Sequence, residues 1–286
     1  MPPAEQTLNT HNHDRDNAGM TYVYPVVSRR AGGVSIGINL NPNNACNWRC
    51  IYCQVPDLKR GGPPTINLAL LDDELQRMLT SIVAGDFMTR AVPAEMRRLN
   101  DIALSGNGEP TSAPEFPAVI DLIGKAIANF DLTDKIKLVL ITNGSLTSKP
   151  GVQDGLRRMA ALNGEVWFKF DRATPTGLHL ANDTETDPER HYQRLKTVAA
   201  LCPTWIQTCL FSLDGAPPDE SELSAWLAML TRAKNDNLPL RGILLYGLAR
   251  PSLQPEAPRL GRLPEAWMQQ IATRAGSLGW TVKLSL

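Results

Sequence analysis

Six short apolar runs, separated by stretches of helical periodicity, are the feature that most restricts how this chain can fold. Each run is rich in Val, Ile and Leu and stays apolar at successive positions, as strands buried on both faces do. The runs lie at 34–40, 101–106, 136–142, 165–170, 205–211 and 242–248. Helical patterns lie at 68–83, 114–129, 151–162, 187–200, 219–234 and 264–277, before a strand-like end at 280–286. This alternation predicts an α/β fold built from βαβ units around a parallel sheet.

The length and composition indicate one domain. The chain has 286 residues, of which 43% are hydrophobic and 20% charged, an ordinary balance for a globular protein. We predict a poorly ordered N-terminal tail over 1–20 and a single domain over 21–286. Within that domain, 22–250 would form the core and 251–286 a C-terminal extension. Periodicity alone leaves two architectures open, a doubly wound sheet and a barrel.

The charge balance and the N-terminus restrict the partners and the compartment. Lysine plus arginine equals aspartate plus glutamate, 29 each, so no bulk attraction to nucleic acid or acidic membrane is expected, although a local basic patch stays open. No apolar run approaches the ~18 residues of a membrane span, and no secretory signal is recognisable. We therefore expect a cytoplasmic protein without a membrane partner, whose five cysteines are ligands or core thiols. Cys202 and Cys209 are too widely spaced for a cluster of their own and are interpreted as core or surface thiols.

Three cysteines follow the first predicted strand, with the spacing C-x3-C-x2-C: Cys46, Cys50 and Cys53. Cysteine thiolates bind zinc or iron–sulfur clusters. A closed zinc site needs a fourth ligand, which His179 or His191 could supply. Three ligands alone would instead leave one iron of a [4Fe–4S] cluster open to the amino and carboxylate groups of a small molecule.

Further polar residues follow the next strands, at the edge where parallel α/β folds place their sites. After the second strand, SGNGEPT (105–111) offers a glycine-rich turn and a carboxylate, Glu109, suited to an ammonium group. After the third, Asn143 lies in a Thr-Asn-Gly turn. At the end of the fourth, Lys169 and Asp171 lie on one side by the strand period of two. We expect these groups to face a ligand. An ordinary turn at Asn143 and a rim ion pair between Lys169 and Asp171 are the alternatives.

The cysteine spacing, with Tyr52 directly before the third cysteine, resembles the signature of the radical S-adenosylmethionine (SAM) enzymes. In that family three cysteines hold a [4Fe–4S] cluster, and its open iron binds SAM. Reductive cleavage then gives methionine and a 5′-deoxyadenosyl radical that abstracts hydrogen from a substrate. The family carries a Gly-Gly-Glu-Pro-like stretch where this chain has Gly-Asn-Gly-Glu-Pro. The resemblance thus implies one cluster and SAM as cofactors. The residues that we predict to bind the cofactor are Tyr52, Gly106, Asn107, Gly108, Glu109, Asn143, Lys169 and Asp171.

The resemblance covers roughly 22–250 and is similar in detail to a subgroup with GxSxGINLNP, CNWRCIYCQV, SGNGEPT, ITNGSL and LYGLARP. That subgroup contains uncharacterised iron–sulfur oxidoreductases related to 4-demethylwyosine synthases, which modify a guanosine in tRNA. It implies a partial (β/α)6 TIM-like barrel with a parallel sheet, open on one side. It also implies an electron donor such as flavodoxin or ferredoxin.

The substrate is left open. Gln207 and Thr208 on the fifth strand, and Tyr246 and Arg250 after the sixth, are candidates for substrate contact. Arg250 suits a carboxylate or phosphate, with an exposed loop arginine as the alternative.

Two alternative functions also stay open. A tRNA-modifying enzyme is favoured by Lys59 and Arg60, because such pairs contact phosphate. A non-catalytic iron–sulfur or zinc-binding protein is the alternative from a different class.

Overall fold

The computed structural model describes residue 8 and residues 19–28 and 32–286. The tail predicted over 1–20 therefore lies largely outside the described residues. Leu8 is buried, and its backbone N–H donates to the carbonyl oxygen of Ala91 at 2.8 Å. Met20 packs against the hydrophobic core. Two points within the predicted tail thus contact the domain.

The described part of the chain forms twelve strands and eight α-helices, with three short 3₁₀-helices. The strands are β1 (Val23–Ser28), β2 (Gly33–Ile38), β3 (Ala45–Cys46), β4 (Lys59–Arg60), β5 (Leu99–Leu104), β6 (Lys137–Thr142), β7 (Gly164–Lys169), β8 (Thr204–Cys209), β9 (Ser212–Leu213), β10 (Leu240–Tyr246), β11 (Leu260–Gly261) and β12 (Val282–Ser285). The α-helices are α1 (Leu68–Val83), α2 (Phe87–Ala91), α3 (Phe116–Asn129), α4 (Pro150–Ala161), α5 (Pro175–Asn182), α6 (Pro188–Leu201), α7 (Glu220–Asn235) and α8 (Glu265–Ser277). The 3₁₀-helices are Ala94–Met96, Pro110–Ser112 and Ala257–Arg259.

Eight of these strands form one curled, open sheet, in the order β1-β2-β5-β6-β7-β8-β10-β12. β1 pairs antiparallel with β2, and every other neighbouring pair is parallel. Six βα units run in chain order from β2–α1 to β10–α8, and β12 follows as a last parallel strand. The predicted partial (β/α)6 TIM-like barrel, open on one side, is thereby confirmed. No helix in the described ranges is both long enough and apolar enough to span a bilayer.

Strand β7 shows how the sheet separates its two faces. Val166 and Phe168 are fully buried in the core between sheet and helices. Trp167 and Lys169 alternate with them and line a cavity inside the barrel. The strand period of two therefore supplies a core on one face and a site on the other.

Strand β1 was not among the predicted strands. It lies at the edge of the sheet, where Pro25 is tolerated because an edge strand leaves some backbone groups unpaired. The buried carboxylate of Glu74, on α1, accepts hydrogen bonds from the backbone N–H groups of Thr21 at 2.7 Å and Tyr22 at 2.8 Å. Tertiary contacts with α1 thus help to hold this strand in place.

Helix α5 was likewise unpredicted, and it proves important for the site. Its eight residues begin after Thr174, whose hydroxyl accepts from the N–H of Gly177 at 2.9 Å, with Pro175 at the first helical position. The helix ends at Asp183, which adopts the left-handed conformation with φ 46°. The surrounding Thr, Pro and Gly residues resemble a loop in sequence, which explains why the periodicity did not indicate a helix.

Candidate functional site

A cavity of about 330 Å³ opens at the carboxyl edge of the parallel strands and extends into the barrel. The loops after β2, β5, β6 and β10 contribute to its wall, as the strand-end argument predicted. The predicted site residues that line it are Cys46, Cys50, Tyr52, Cys53, Gly106, Asn107, Gly108, Glu109, Asn143, Lys169, Tyr246 and Arg250. Three predicted residues lie outside this lining: Asp171, Gln207 and Thr208.

The loop that carries the three cysteines is fixed at its base. Its short strands β3 and β4 pair in parallel, and the N–H of Gly61 donates to the carbonyl oxygen of Cys46 at 3.0 Å. The hydroxyl of Ser252 donates to the carbonyl oxygen of Ile51 at 2.7 Å. Burial raises the pKa of Cys46 to about 12 and that of Cys50 to about 11. Metal binding must therefore displace protons from these thiols.

The two histidines that could complete a zinc site lie elsewhere. His179 is exposed, and its Nδ1 lies 2.8 Å from Glu185. His191 is buried, with its Nε2 2.9 Å from the carbonyl oxygen of Lys169. In the described ranges no three or more His, Cys, Asp or Glu side chains are grouped to hold a single metal ion. A cubane cluster does not require ligands grouped around a single metal ion, because each thiolate binds its own iron. Three cysteines around one cavity are compatible with such a cluster.

The buried ring of His191 provides a pH test of the core beneath the cysteine loop. Burial lowers its pKa to about 4, from an ordinary value of 6.5. The unfolded chain therefore binds a proton between pH 6.5 and 4 that the folded chain does not. The stability contribution of a neutral His191 is complete above pH 6.5 and is lost as the pH falls towards 4. Lowering the pKa of His191 by this amount corresponds to about 3 kcal/mol of unfolding free energy.

We expect His191→Gln to reduce the loss of unfolding free energy between pH 7 and pH 4.5, compared with the unmodified chain. Urea denaturation at both pH values measures this difference. The control is His179→Gln, which removes a histidine from an exposed position and leaves the buried ring of His191 in place. An unchanged pH dependence in His191→Gln would contradict the assignment of a buried neutral ring.

Two glycines allow the loop after β5 to pack directly on the cysteine loop. A Cβ atom at Gly108 would overlap the carbonyl oxygen of Ala45 and lie 2.6 Å from the side chain of Asn41. A Cβ at Gly106 would lie 2.8 Å from the Cα of Asn39. Real Cβ contacts are longer than this. Both positions therefore require glycine for close approach of the two backbones.

Asparagine side chains connect the loops around the cavity. Asn107 Nδ2 donates to Asn44 Oδ1 at 2.6 Å, which joins the loop after β5 to the cysteine loop. Asn143 Nδ2 donates to Asn47 Oδ1 at 2.9 Å, which joins the loop after β6 to the same loop. Asn107 Oδ1 is buried without a hydrogen-bond partner. That oxygen can accept a donor from a bound molecule.

Glu109 is a buried carboxylate that its neighbours hold in one orientation. Oε1 accepts from the hydroxyls of Thr111 at 2.5 Å and Thr142 at 2.6 Å, and Oε2 accepts from the N–H of Asn143 at 2.7 Å. Burial raises the pKa of Glu109 above its ordinary value, against the effect of these donors. The side chain lines the cavity. It is therefore preorganised to accept a further hydrogen bond from a cation.

Lys169 and Asp171 form the ion pair that was the alternative to ligand contact. Lys169 Nζ lies 3.4 Å from Asp171 Oδ2 and donates to the hydroxyl of Tyr246 at 3.1 Å. Burial raises the pKa of Asp171, but the charge of Lys169 and the hydrogen bonds that the carboxylate accepts together hold the pKa below its usual value. Burial lowers the pKa of Lys169, but Asp171 and the other acidic groups around the ammonium together hold the pKa well above its usual value. Both groups are therefore charged at neutral pH.

Asp171 lies beneath the cavity rather than in its wall. Its Oδ2 accepts from the hydroxyl of Tyr52 and from Asn182 Nδ2, the latter at 2.8 Å. Its Oδ1 accepts from the N–H of Cys209 at 2.8 Å. These contacts support the cysteine loop, while Lys169 lines the cavity. Contact of Asp171 with a cofactor stays a prediction.

Thr208, which we predicted to contact substrate, does not line the cavity. Its hydroxyl donates to the carbonyl oxygen of Phe170 at 2.9 Å and accepts from the indole of Trp226, on α7, at 3.2 Å. It therefore faces the helices, since adjacent strand residues face opposite sides. Gln207 faces the barrel interior, is 1% exposed, and its Oε1 is buried without a hydrogen-bond partner. It does not line the cavity.

Sequence reasoning missed two residues near the cysteines. Cys209 is buried in a hydrophobic cluster, which agrees with its interpretation as a core thiol, but it also lines the cavity. Burial raises its pKa to about 12. The period of two from Gln207 could have placed it there. Asn182 is fully buried, and its Nδ2 lies 3.2 Å from Cys50 Sγ. No sequence signal indicated Asn182, because α5 was itself unpredicted.

Comparison with known sequences gives partial matches. No family model matches the chain. A UPF0026 protein of Helicobacter pylori (strain ATCC 700392 / 26695) is 29% identical over 138 residues, which cover 46% of this chain and 38% of that protein. A UPF0026 protein of Synechocystis is 26% identical over 167 residues, covering 58% of this chain and 54% of that protein. The chain thus matches about half of the curated relatives' length or less.

Several solved structures match most of the chain in fold. A structure of TYW1 with a lysine-pyruvate adduct bound matches with a TM-score of 0.56 and 15% identity, over 95% of this chain and 79% of that one. Streptococcus suis SuiB bound to S-adenosylmethionine matches with a TM-score of 0.52 and 10% identity, over 89% of this chain and 47% of that one. A radical SAM methyltransferase from Sphaerobacter thermophilus matches with a TM-score of 0.50 and 12% identity, over 88% of this chain and 66% of that one. The chain has the fold of radical SAM enzymes. Its sheet curls around a cavity at the strand ends, where the C-x3-C-x2-C motif of the sequence also lies.

Proposed function

We propose that this chain is a radical SAM enzyme, in which Cys46, Cys50 and Cys53 hold one [4Fe–4S] cluster beside a SAM site. The observation that carries the proposal is that the three cysteines and the glycine-rich loop with Glu109 line a single cavity. When bound, the cluster and SAM supply one-electron cleavage to methionine and a 5′-deoxyadenosyl radical that takes hydrogen from a substrate. The likeness in fold supports this assignment.

Different residues around the cavity bind different groups of SAM. Glu109 Oε2 accepts one hydrogen bond within the described part of the chain, which leaves room for the SAM ammonium group. Lys169 Nζ uses two of its three protons on Asp171 and Tyr246, and we assign the third to the SAM carboxylate. The close packing at Gly108 holds Glu109 against the cysteine loop.

The proposal is tested by anaerobic reconstitution with iron and sulfide, followed by dithionite and SAM. Dithionite replaces the physiological one-electron donor, for which we propose a flavodoxin or ferredoxin. We expect visible iron–sulfur absorbance and the formation of 5′-deoxyadenosine. A cluster without 5′-deoxyadenosine would overturn the SAM chemistry and favour a non-catalytic iron–sulfur protein. Tight zinc binding without a cluster would favour the zinc-binding alternative.

A tRNA substrate is the second candidate, and exposed Lys59 beside the cysteine loop favours it. The guanidinium of Arg60 is less available for phosphate, because it lies 2.9 Å from Asp183 and donates to the carbonyl oxygen of Asn47 at 2.9 Å. Binding of bulk tRNA should weaken steeply with salt if this candidate is correct. No binding at low salt would remove it.

A further inference from the structure

Asn182, the last residue of α5, contacts a thiol that the proposed function assigns to the cluster. Its side chain is fully buried, with Nδ2 3.2 Å from Cys50 Sγ and 2.8 Å from Asp171 Oδ2. The amide carries two protons, so one can be donated to the sulfur and the other to the carboxylate. Both neighbours are acceptors once Cys50 is a thiolate, and this fixes which end of the amide faces them.

The backbone at the end of α5 holds the same region of the cysteine loop. The N–H of Ile51 donates to the carbonyl oxygen of Ala181 at 3.0 Å, and the N–H of Arg49 donates to that of Asn182 at 3.3 Å. The last carbonyls of a helix lack partners within the helix, and here the cysteine loop supplies them. Cys50 is therefore flanked by two backbone hydrogen bonds to the helix that carries Asn182.

Ion pairs at the surface reinforce this attachment. Asp183 follows α5, and its carboxylate lies 2.9 Å from both Arg49 and Arg60. Arg49 also reaches Glu256 at 2.7 Å. These side chains are partly exposed, so each pair adds about 1 kcal/mol or less. They attach the loop to the helix without touching a cysteine sulfur, which makes Asp183 a useful control.

The oxygen of the Asn182 amide makes an unfavourable contribution to the free energy of folding. Its Oδ1 is buried without a hydrogen-bond partner. Leaving a buried polar atom unsatisfied is unfavourable, and an apolar side chain of similar shape would avoid it. The two N–H donors therefore explain the presence of an asparagine here.

We propose that Asn182 is a positioning residue that raises the reduction potential of the cluster by donating a hydrogen bond to the Cys50 thiolate. This inference rests on the proposed cluster. Reduction adds negative charge to the cluster and its sulfur ligands, and an N–H donor stabilises that charge. Asp171 keeps the amide oriented, and α5 keeps it at a fixed distance from the sulfur.

The test is a potentiometric titration of the reconstituted protein, followed by electron paramagnetic resonance. At the midpoint potential of the unmodified protein, Asn182→Leu should lower the ratio of reduced to oxidised cluster about tenfold, equivalent to about 59 mV for one electron. The control Asp183→Asn cuts the ion pairs but keeps the hydrogen bond. Because it removes a negative charge, its midpoint should stay equal to or above that of the unmodified protein and should not fall. Asn182→Leu with full iron content and an unchanged midpoint would overturn the inference.

A matched pair of smaller variants covers the case in which Asn182→Leu does not assemble a cluster. Asn182→Ser keeps a hydroxyl donor, whereas Asn182→Ala has none. We expect the midpoint of the Ser variant to lie above that of the Ala variant, and equal midpoints would overturn the inference. Failure of the proposed function would instead appear in the unmodified protein, as a missing cluster or missing 5′-deoxyadenosine.

Discussion

Cys50→Ala is expected to abolish both cluster binding and SAM cleavage. The three cysteines are the thiols of the C-x3-C-x2-C loop, and Cys50 lies at its contact with α5. Losing one of three ligands should cost more than losing an outer partner, which typically costs about 10–100-fold in metal affinity or activity. We therefore expect SAM cleavage to fall by more than about 100-fold. Iron and sulfide per chain, visible absorbance and the rate of 5′-deoxyadenosine formation measure the effect.

Cys202→Ala is the matched control for the cysteine variants. Cys202 is also buried, but its Sγ lies 3.6 Å from the carbonyl oxygen of Gly164, on the core side of the sheet. We expect full iron content, SAM cleavage within about twofold of the unmodified chain, and a loss of stability of about 1 kcal/mol. Full iron content in Cys50→Ala would show that the cysteine loop is not the cluster site.

The meeting of distant polar side chains in one cavity was predictable from sequence because of a property of parallel sheets. Strands that run in one direction place their carboxyl ends at one edge, so residues distant in sequence, such as Cys46, Glu109 and Lys169, meet there. The apolar runs located each strand within a few residues, and this accuracy was sufficient to bring these three side chains to one cavity.

The sequence was least informative where the face of a strand or the path of a loop had to be known. Gln207 and Thr208 are adjacent, so they cannot both face the barrel, and Thr208 packs against Trp226 instead. The links from Asn107 to Asn44 depend on loop conformations that no periodicity describes. These contacts determine how the loops fit together, and they follow from tertiary packing rather than from local propensity.

Gly108→Ala is expected to separate the two loops that we propose form the SAM site. The added Cβ would overlap the carbonyl oxygen of Ala45, the residue before Cys46. The φ of Gly108 is not in the left-handed region, so alanine can adopt the same backbone conformation and the substitution isolates this contact. Overpacking of this kind typically costs about 1–3 kcal/mol. A shift of about 1 Å between Glu109 and the cysteine loop can reduce turnover about 100-fold.

Gly62→Ala is the control for this prediction, because a Cβ at Gly62 meets no atom within 4 Å. Both variants are compared by urea denaturation, iron content and 5′-deoxyadenosine formation. SAM cleavage by Gly108→Ala within about twofold of the Gly62→Ala rate would contradict a requirement for close packing. Iron content then identifies what the packing supports. A loss of iron would mean that Gly108 holds the cysteine loop in shape. Full iron with slow cleavage would mean that it holds Glu109 at the correct distance from SAM.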